Sequence, residues 1–185
     1  MRWDDLFADL DAQLEAAEAA EFAGEVSDRT RREQGMLRLV DRLRLTVGAN
    51  LTVTCSGAGT VHGRLLDVGV DWLLLEEADK RELLLSSAAV LGVAGVGSRS
   101  GVPGVEGEVV RRLDLRWALR GLARSRVGVQ VVLRDSSVLA GTFDRVGSDH
   151  VDLAEHPPGE ARRAGAVRQV RVLPLTGLSA VRSSG

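Results

Sequence analysis

Three histidines, one cysteine and scattered aspartates are the residues of this 185-residue chain whose types could do chemistry. His62, His150 and His156 would suit a metal or general-base work if they converged, and Cys55 would suit a nucleophile. The spacing brings none of them together. The histidines fall on strand or loop positions with no ligand-type interval to Cys55 or to one another. His150 stands between Asp149 and Asp152, which on a strand point to alternating faces. The serines lack a nucleophile-elbow pattern. Asp71 and Asp149 each sit in a glycine-led turn, where an aspartate satisfies local backbone donors. Gly95 to Gly107 is glycine-rich, but no Gly-Lys-Ser or Gly-Lys-Thr follows it, so it reads as a flexible connector and not a phosphate cradle. The expectation is a protein that is not an enzyme, with no metal, no cofactor and no small-molecule substrate.

Charge offers more. Arg112, Arg116, Arg120 and Arg124 recur every four residues and form one stripe on a helix, where like charges repel by a few tenths of a kcal/mol per pair. Residues 109–185 hold thirteen arginines against seven acids, net +6, in a chain whose formal charge is −2. Such a stripe could take phosphates. With aromatics at 3% and no tyrosine, base stacking is poorly supported, so nucleic acid would be bound with weak sequence selectivity. Residues 1–25 carry eight acids and one arginine, net −7. Trp3, Leu6, Phe7, Leu10, Leu14 and Ala17 recur at helical spacing there. That acidic amphipathic helix either covers the body or docks a protein partner through Trp3, Phe7 and Leu10.

The elements that must position these groups are mostly strands. From Val127 to Glu155, Val129, Val131 and Leu133 alternate with Gln130, Val132 and Arg134. Asp135-Ser136-Ser137 turns the chain, then Leu139, Gly141 and Phe143 share a face. Gly147-Ser148 turns it again, before Val151 and Leu153. A period of two between small polar turns marks half-buried antiparallel strands. An earlier stretch repeats the pattern 78 residues upstream: Leu51 with Val129, Val53 with Val131, Gly63 with Gly141, Gly69 with Gly147, Asp71 with Asp149, Leu75 with Leu153, Glu77 with Glu155. The match in parity places the same faces inward in both copies. Two more strands follow in each, Glu82–Leu85 and Val90–Val93, then Val167–Leu173 and Gly177–Val181. Helices over Arg29–Leu45 and Val109–Arg124 precede the two sets. The divisions expected are 1–26, an acidic helix; 27–94, a helix and first barrel; 95–108, a linker; and 109–185, a helix and second barrel.

A helix followed by five short bent strands, with Gly63 or Gly141 inside the second and Gly69-Val70-Asp71 or Gly147-Ser148-Asp149 after it, resembles the Sm-like fold, a small SH3-like barrel. The resemblance implies a mainly β (α+β) chain of two five-stranded barrels, each preceded by a helix, plus the N-terminal acidic amphipathic helix. It does not carry RNA reading with it. Leu74 and Asp152 stand where the family has an asparagine, and Ser86-Ser87 and Pro174-Leu175 where it has Arg-Gly. The segment Arg2 to Leu10 also resembles the opening of an actinobacterial family, some members of which are labelled Fis-type transcription regulators; the strand-rich body here has no helix-turn-helix pattern. Cys55 as the lone cysteine, the lack of an apolar run of ~18 residues and the lack of an apolar signal core predict a cytoplasmic protein with no membrane association. The functional expectation is an interaction or scaffold protein with a protein partner or a homo-oligomer. The alternative is a nucleic-acid-associated regulator.

Overall fold

The computed structural model describes Phe22, Gly35 and residues 37–97, 113–159, 163 and 165–183. The acidic segment, apart from Phe22, lies outside these residues, as does most of the glycine-rich connector. Two helices and ten strands are described. They are α1 (Leu39–Arg44), β1 (Asn50–Cys55), β2 (Gly59–Val68), β3 (Trp72–Glu76), β4 (Glu82–Ser86), β5 (Val90–Ala94), α2 (Leu115–Ser125), β6 (Gly128–Leu133), β7 (Val138–Val146), β8 (His150–Glu155), β9 (Gln169–Pro174) and β10 (Leu178–Ser183). Two helical turns, Ser87–Ala89 and Leu175–Gly177, lead into β5 and β10.

Two separate five-stranded barrels do not form. The ten strands make one continuous antiparallel sheet that does not close, in the order β5-β1-β2-β3-β4-β10-β6-β7-β8-β9. The pairing of β4 with β10 overturns the barrel expectation: Ala180 faces Leu85, Val181 faces Leu84 and Arg182 faces Leu83. The physical reason lies in β4 itself. Leu83, Leu84 and Leu85 are consecutive, and all three are buried. A strand apolar on both faces needs cover on both, which an edge strand of a small barrel would lack. The start of the second helix also differs from the expectation. Asp114 caps α2 by accepting from the Trp117 backbone N–H at 2.8 Å, so the helix starts at Leu115 and not at Val109. Of the expected Arg29–Leu45 helix, the element described is Leu39–Arg44.

The core divides along the sheet. One cluster gathers Leu43 of α1 with Leu51, Val53, Leu65, Leu75, Leu83 and Leu85. The other gathers Leu115 and Leu119 of α2 with Val129, Val131, Phe143, Leu153 and Val181. Burying each such leucine is worth about 1.5–3 kcal/mol. The central strands feed both clusters: Leu84 of β4 belongs to the second, and Ala180 of β10 to the first. Each half presents its five strands in the same order, β5-β1-β2-β3-β4 and β10-β6-β7-β8-β9. The irregularities also correspond. Leu66 is skipped in the β2–β3 ladder and Asp144 in the β7–β8 ladder, Leu91 between β1 and β5 and Ser179 between β6 and β10.

Candidate interaction site

The seam between the halves is where the most specific side-chain work is done. Arg182 on β10 donates from Nε and Nη2 to the Glu77 carboxylate at 2.9 and 3.2 Å, a forked pair in a partly buried place. The β1–β2 turn lies flush on the second half: the Ser56 hydroxyl donates to the Arg134 carbonyl, and the Ala58 N–H donates to the Ser179 hydroxyl, both at 3.2 Å. Gly57 makes this approach possible, because a Cβ there would run into the Leu133 carbonyl. Its φ of +87° is also one that glycine adopts without strain.

The β2–β3 turn grips the start of α2. The Leu115 N–H donates to Asp71 Oδ1 at 2.6 Å, and the Trp72 indole N–H to the Leu113 carbonyl at 2.9 Å. The Val70 N–H reaches the same carbonyl at 3.3 Å. Asp71 therefore serves a donor 44 residues away, and not only the local donors expected from the sequence. Asp71 is exposed as a residue, but its carboxylate loses water against the helix. This desolvation pushes its pKa up; the Leu115 N–H opposes the rise and neighbouring Asp114 adds to it.

The second half has the same turn, which Arg116 of α2 reaches at the Ser148 carbonyl, 3.5 Å away. Gly147 N–H bonds the His150 carbonyl at 2.8 Å, as Gly69 N–H bonds that of Trp72 at 2.9 Å. Leu175 N–H bonds the Asp149 carbonyl at 2.8 Å, as Ser87 N–H bonds that of Asp71 at 2.9 Å. The Asp149 side chain is 86% exposed and bonds the neighbouring His150, the main reason its pKa falls, with a smaller contribution from the Ser148 side chain.

At the two ends of the sheet, among the described residues, β5 pairs only with β1 and β9 only with β8. Both ends show apolar side chains to water: Leu91 at 69%, Val170 at 56% and Val172 at 60% exposure. Beside them Arg171 pairs with Glu155, and this bond holds the Glu155 carboxyl below its usual range. An open strand edge with exposed valines is a template for further pairing.

The residues singled out from the sequence fare differently. Trp3, Phe7, Leu10 and Arg112 lie outside the described residues. Arg116 is engaged, donating from Nε to Asp114 at 2.6 Å and reaching the Ser148 carbonyl at 3.5 Å. Arg120 and Arg124 are exposed on α2. Cys55 is buried, and desolvation pushes its thiol pKa up, away from nucleophile character. His62 bonds the Thr52 hydroxyl at 2.9 Å on the surface. His156 is buried between the Thr142 hydroxyl at 2.8 Å and the Pro157 carbonyl at 3.0 Å, an interior contact that the loop reading missed. Among the described residues no three His, Cys, Asp or Glu side chains are grouped to hold a metal. None of the described helices is long and apolar enough to cross a membrane.

Two of the surface depressions lie beside residues already named. One, of about 410 Å³, is lined by polar side chains including His62, Arg64, Glu76 and Lys80. Arg64 and Lys80 both engage Glu76 there, at 3.0 and 3.4 Å, and the bond from Arg64 is the main reason its carboxyl pKa falls. The other, of about 280 Å³, lies between α2 and the sheet under the exposed Trp117, against Trp72, Leu74, Leu84 and Val181. No protein-family model matches the chain, and no curated protein is found to be similar to it.

Proposed function

We propose that this is a non-enzymatic interaction or scaffold protein that binds protein partners by extending its sheet. The observation that carries this reading is the pair of open ends, β5 and β9, each with apolar side chains in water, on a sheet whose own middle is built by strand-to-strand docking. Strand addition supplies affinity through main-chain hydrogen bonds and specificity through alternate side chains. The Cys55 thiol, which burial keeps from ionising, fits a binding role. The reading places the protein in the cytoplasm, where an unpaired thiol stays reduced.

A second reading has Arg120 and Arg124 contacting phosphates, since both are exposed on one helix. One experiment separates the two. Tagged wild-type protein and the Val172→Lys variant are recovered from the native cell, each with and without nuclease. The interaction reading expects proteins that survive nuclease treatment and are lost with Val172→Lys. Material that depends wholly on intact nucleic acid, and ignores Val172→Lys, would replace it with the phosphate-binding reading.

A further inference from the structure

The seam inside the chain and the two open ends of its sheet are built from corresponding strands. Val53 and Val131, 78 residues apart, occupy the same place in β1 and β6. Across the sheet Val53 faces Val93 of β5, and Val131 faces Val181 of β10. Leu74 and Asp152 correspond in β3 and β8; Leu74 faces Leu84 of β4, and Asp152 faces Val172 of β9. So β10 is to the second half what β5 is to the first, and β9 is to the second what β4 is to the first. The seam joins β4 to β10. The strands left open are the other representatives of the same two types.

From this correspondence we infer that the partner of the open ends is a second copy of this chain, docked head to tail, with β9 of one copy pairing antiparallel with β5 of the next. This rests on the interaction reading above and names its partner. Carrying the seam register over puts Leu173 opposite Gly92, Val172 opposite Val93 and Arg171 opposite Ala94. The exposed Val172 then covers Val93, and Arg171 meets a residue small enough to leave its bond to Glu155 in place.

Two further parts of the seam have counterparts in the same arrangement. Inside the chain, Asp71 and Trp72 hold the start of α2 at Leu113-Asp114-Leu115. The corresponding turn, Gly147 to His150, presents an exposed Asp149 and a half-exposed His150. The corresponding helix start is Leu37-Arg38-Leu39, again two leucines around the cap residue. In the docked pair Asp149 and His150 of one copy face Leu37 to Leu39 of the next. Likewise Ser179, skipped in its ladder and covered by the β1–β2 turn, corresponds to Leu91, skipped in its own. Leu91 is exposed here, and the Asp135-Ser136-Ser137 turn of the adjoining copy would cover it.

Two seam features are not reproduced. Ala94 replaces Arg182, so the forked pair with a glutamate is missing, and Asp135 replaces Gly57, so the turn cannot lie as close. The contact between copies is therefore weaker than the seam, and association follows concentration. A contact between unlike surfaces leaves one free end of each kind on every open assembly.

That polarity sets the test. Purified full-length wild type, Val172→Lys and Leu91→Lys are weighed by light scattering during gel filtration over a range of concentrations, with thermal melts as the folding control. Both substituted side chains are exposed, so the melts should match wild type. Should Leu91→Lys lower the melt, Leu91→Gln takes its place. The wild type is expected as a multiple of one chain at about 100 µM, a range that micromolar affinity would populate. Each variant alone is expected as a single chain. An equimolar mixture of the two should give a two-chain species and nothing larger, because one competent contact remains. Asp149→Ala should weaken wild-type association about tenfold. A wild type that stays single at every concentration overturns the proposal, as does a variant that still pairs with itself, which would mean like edges meet. If the purified chain stays single while Val172→Lys still loses proteins captured from cells, head-to-tail docking falls and the interaction reading stands. If neither experiment responds to Val172→Lys, both fall.

Discussion

At the level of single residues the glycines are the most legible part of this chain. Gly63 and Gly141 stand out in the sequence as glycines inside alternating strands, where a bend or a close approach of backbone calls for them. The observed cause is closeness. A Cβ on Gly63 would lie 2.7 Å from the Glu76 carbonyl oxygen, and one on Gly141 would collide with that of Ala154. The obstacle is backbone of the neighbouring strand, which cannot turn aside as a flexible side chain would. Gly141→Val should therefore lower stability by about 2–4 kcal/mol, visible as a reduced melting temperature. An unchanged melt would mean that the β7–β8 ladder can open at that point without cost. His156 shows the opposite situation. Nothing in His-Pro-Pro-Gly distinguishes a buried ring from a loop ring, since its partner Thr142 lies on the adjoining strand.

At the level of elements, α2 is held at its start by both halves: Asp114 from within and Asp71 from across the seam. The first bond could be read from sequence, as an aspartate before a helical run. The second could not, because it depends on where the β2–β3 turn comes to rest. Its titration is testable. Desolvation raises the Asp71 pKa in the folded protein, so the folded state holds that proton more tightly than the unfolded chain does. The stability gained is fully present below the unfolded carboxylate range and is lost as pH rises through the folded value. Asp71→Asn keeps an oxygen for the Leu115 N–H without the charge. It should melt level with or slightly above wild type at neutral pH, with the gap closing near pH 3, below the ordinary carboxylate range of about 4. Asp71→Ala removes the acceptor and should cost about 1 kcal/mol at either pH. Melts of the three proteins at both pH values decide the matter. A deficit for Asp71→Asn at neutral pH equal to that of Asp71→Ala would show the charge, and not the acceptor, to be what α2 needs.

At the level of the whole molecule, local alternation gave nearly all the strands but not their joining. Period two tells which face of a strand is buried; it does not tell which strand lies beside it. The one available sign is Leu83-Leu84-Leu85, an unbroken apolar run where an edge strand would alternate. By contrast Arg171-Val172-Leu173, its counterpart in β9, is buried at Leu173 alone and ends the sheet. The seam can be probed through Arg182 and Glu77, whose side chains are only 25% and 19% exposed. Arg182→Ala should lower stability by about 1–2 kcal/mol, between the values for exposed and fully buried pairs. In a double-mutant cycle with Glu77→Ala most of that loss should appear as coupling. Strictly additive losses would reduce the pair to two unrelated surface charges.

The order of the strands has a consequence for how the protein is made. β10 comes last in sequence among the described strands and lies sixth of ten in the sheet, between β4 and β6. As the polypeptide leaves the ribosome, β1 to β5 can assemble early, since all their pairings with one another are antiparallel and near in sequence. Throughout the synthesis of everything from α2 to β9, however, β4 must wait with one side unpaired and Leu84 uncovered. The growing chain thus carries a sticky strand of three leucines until β10 emerges, and in that interval it depends on dilution or a chaperone to avoid joining its neighbours on the same message.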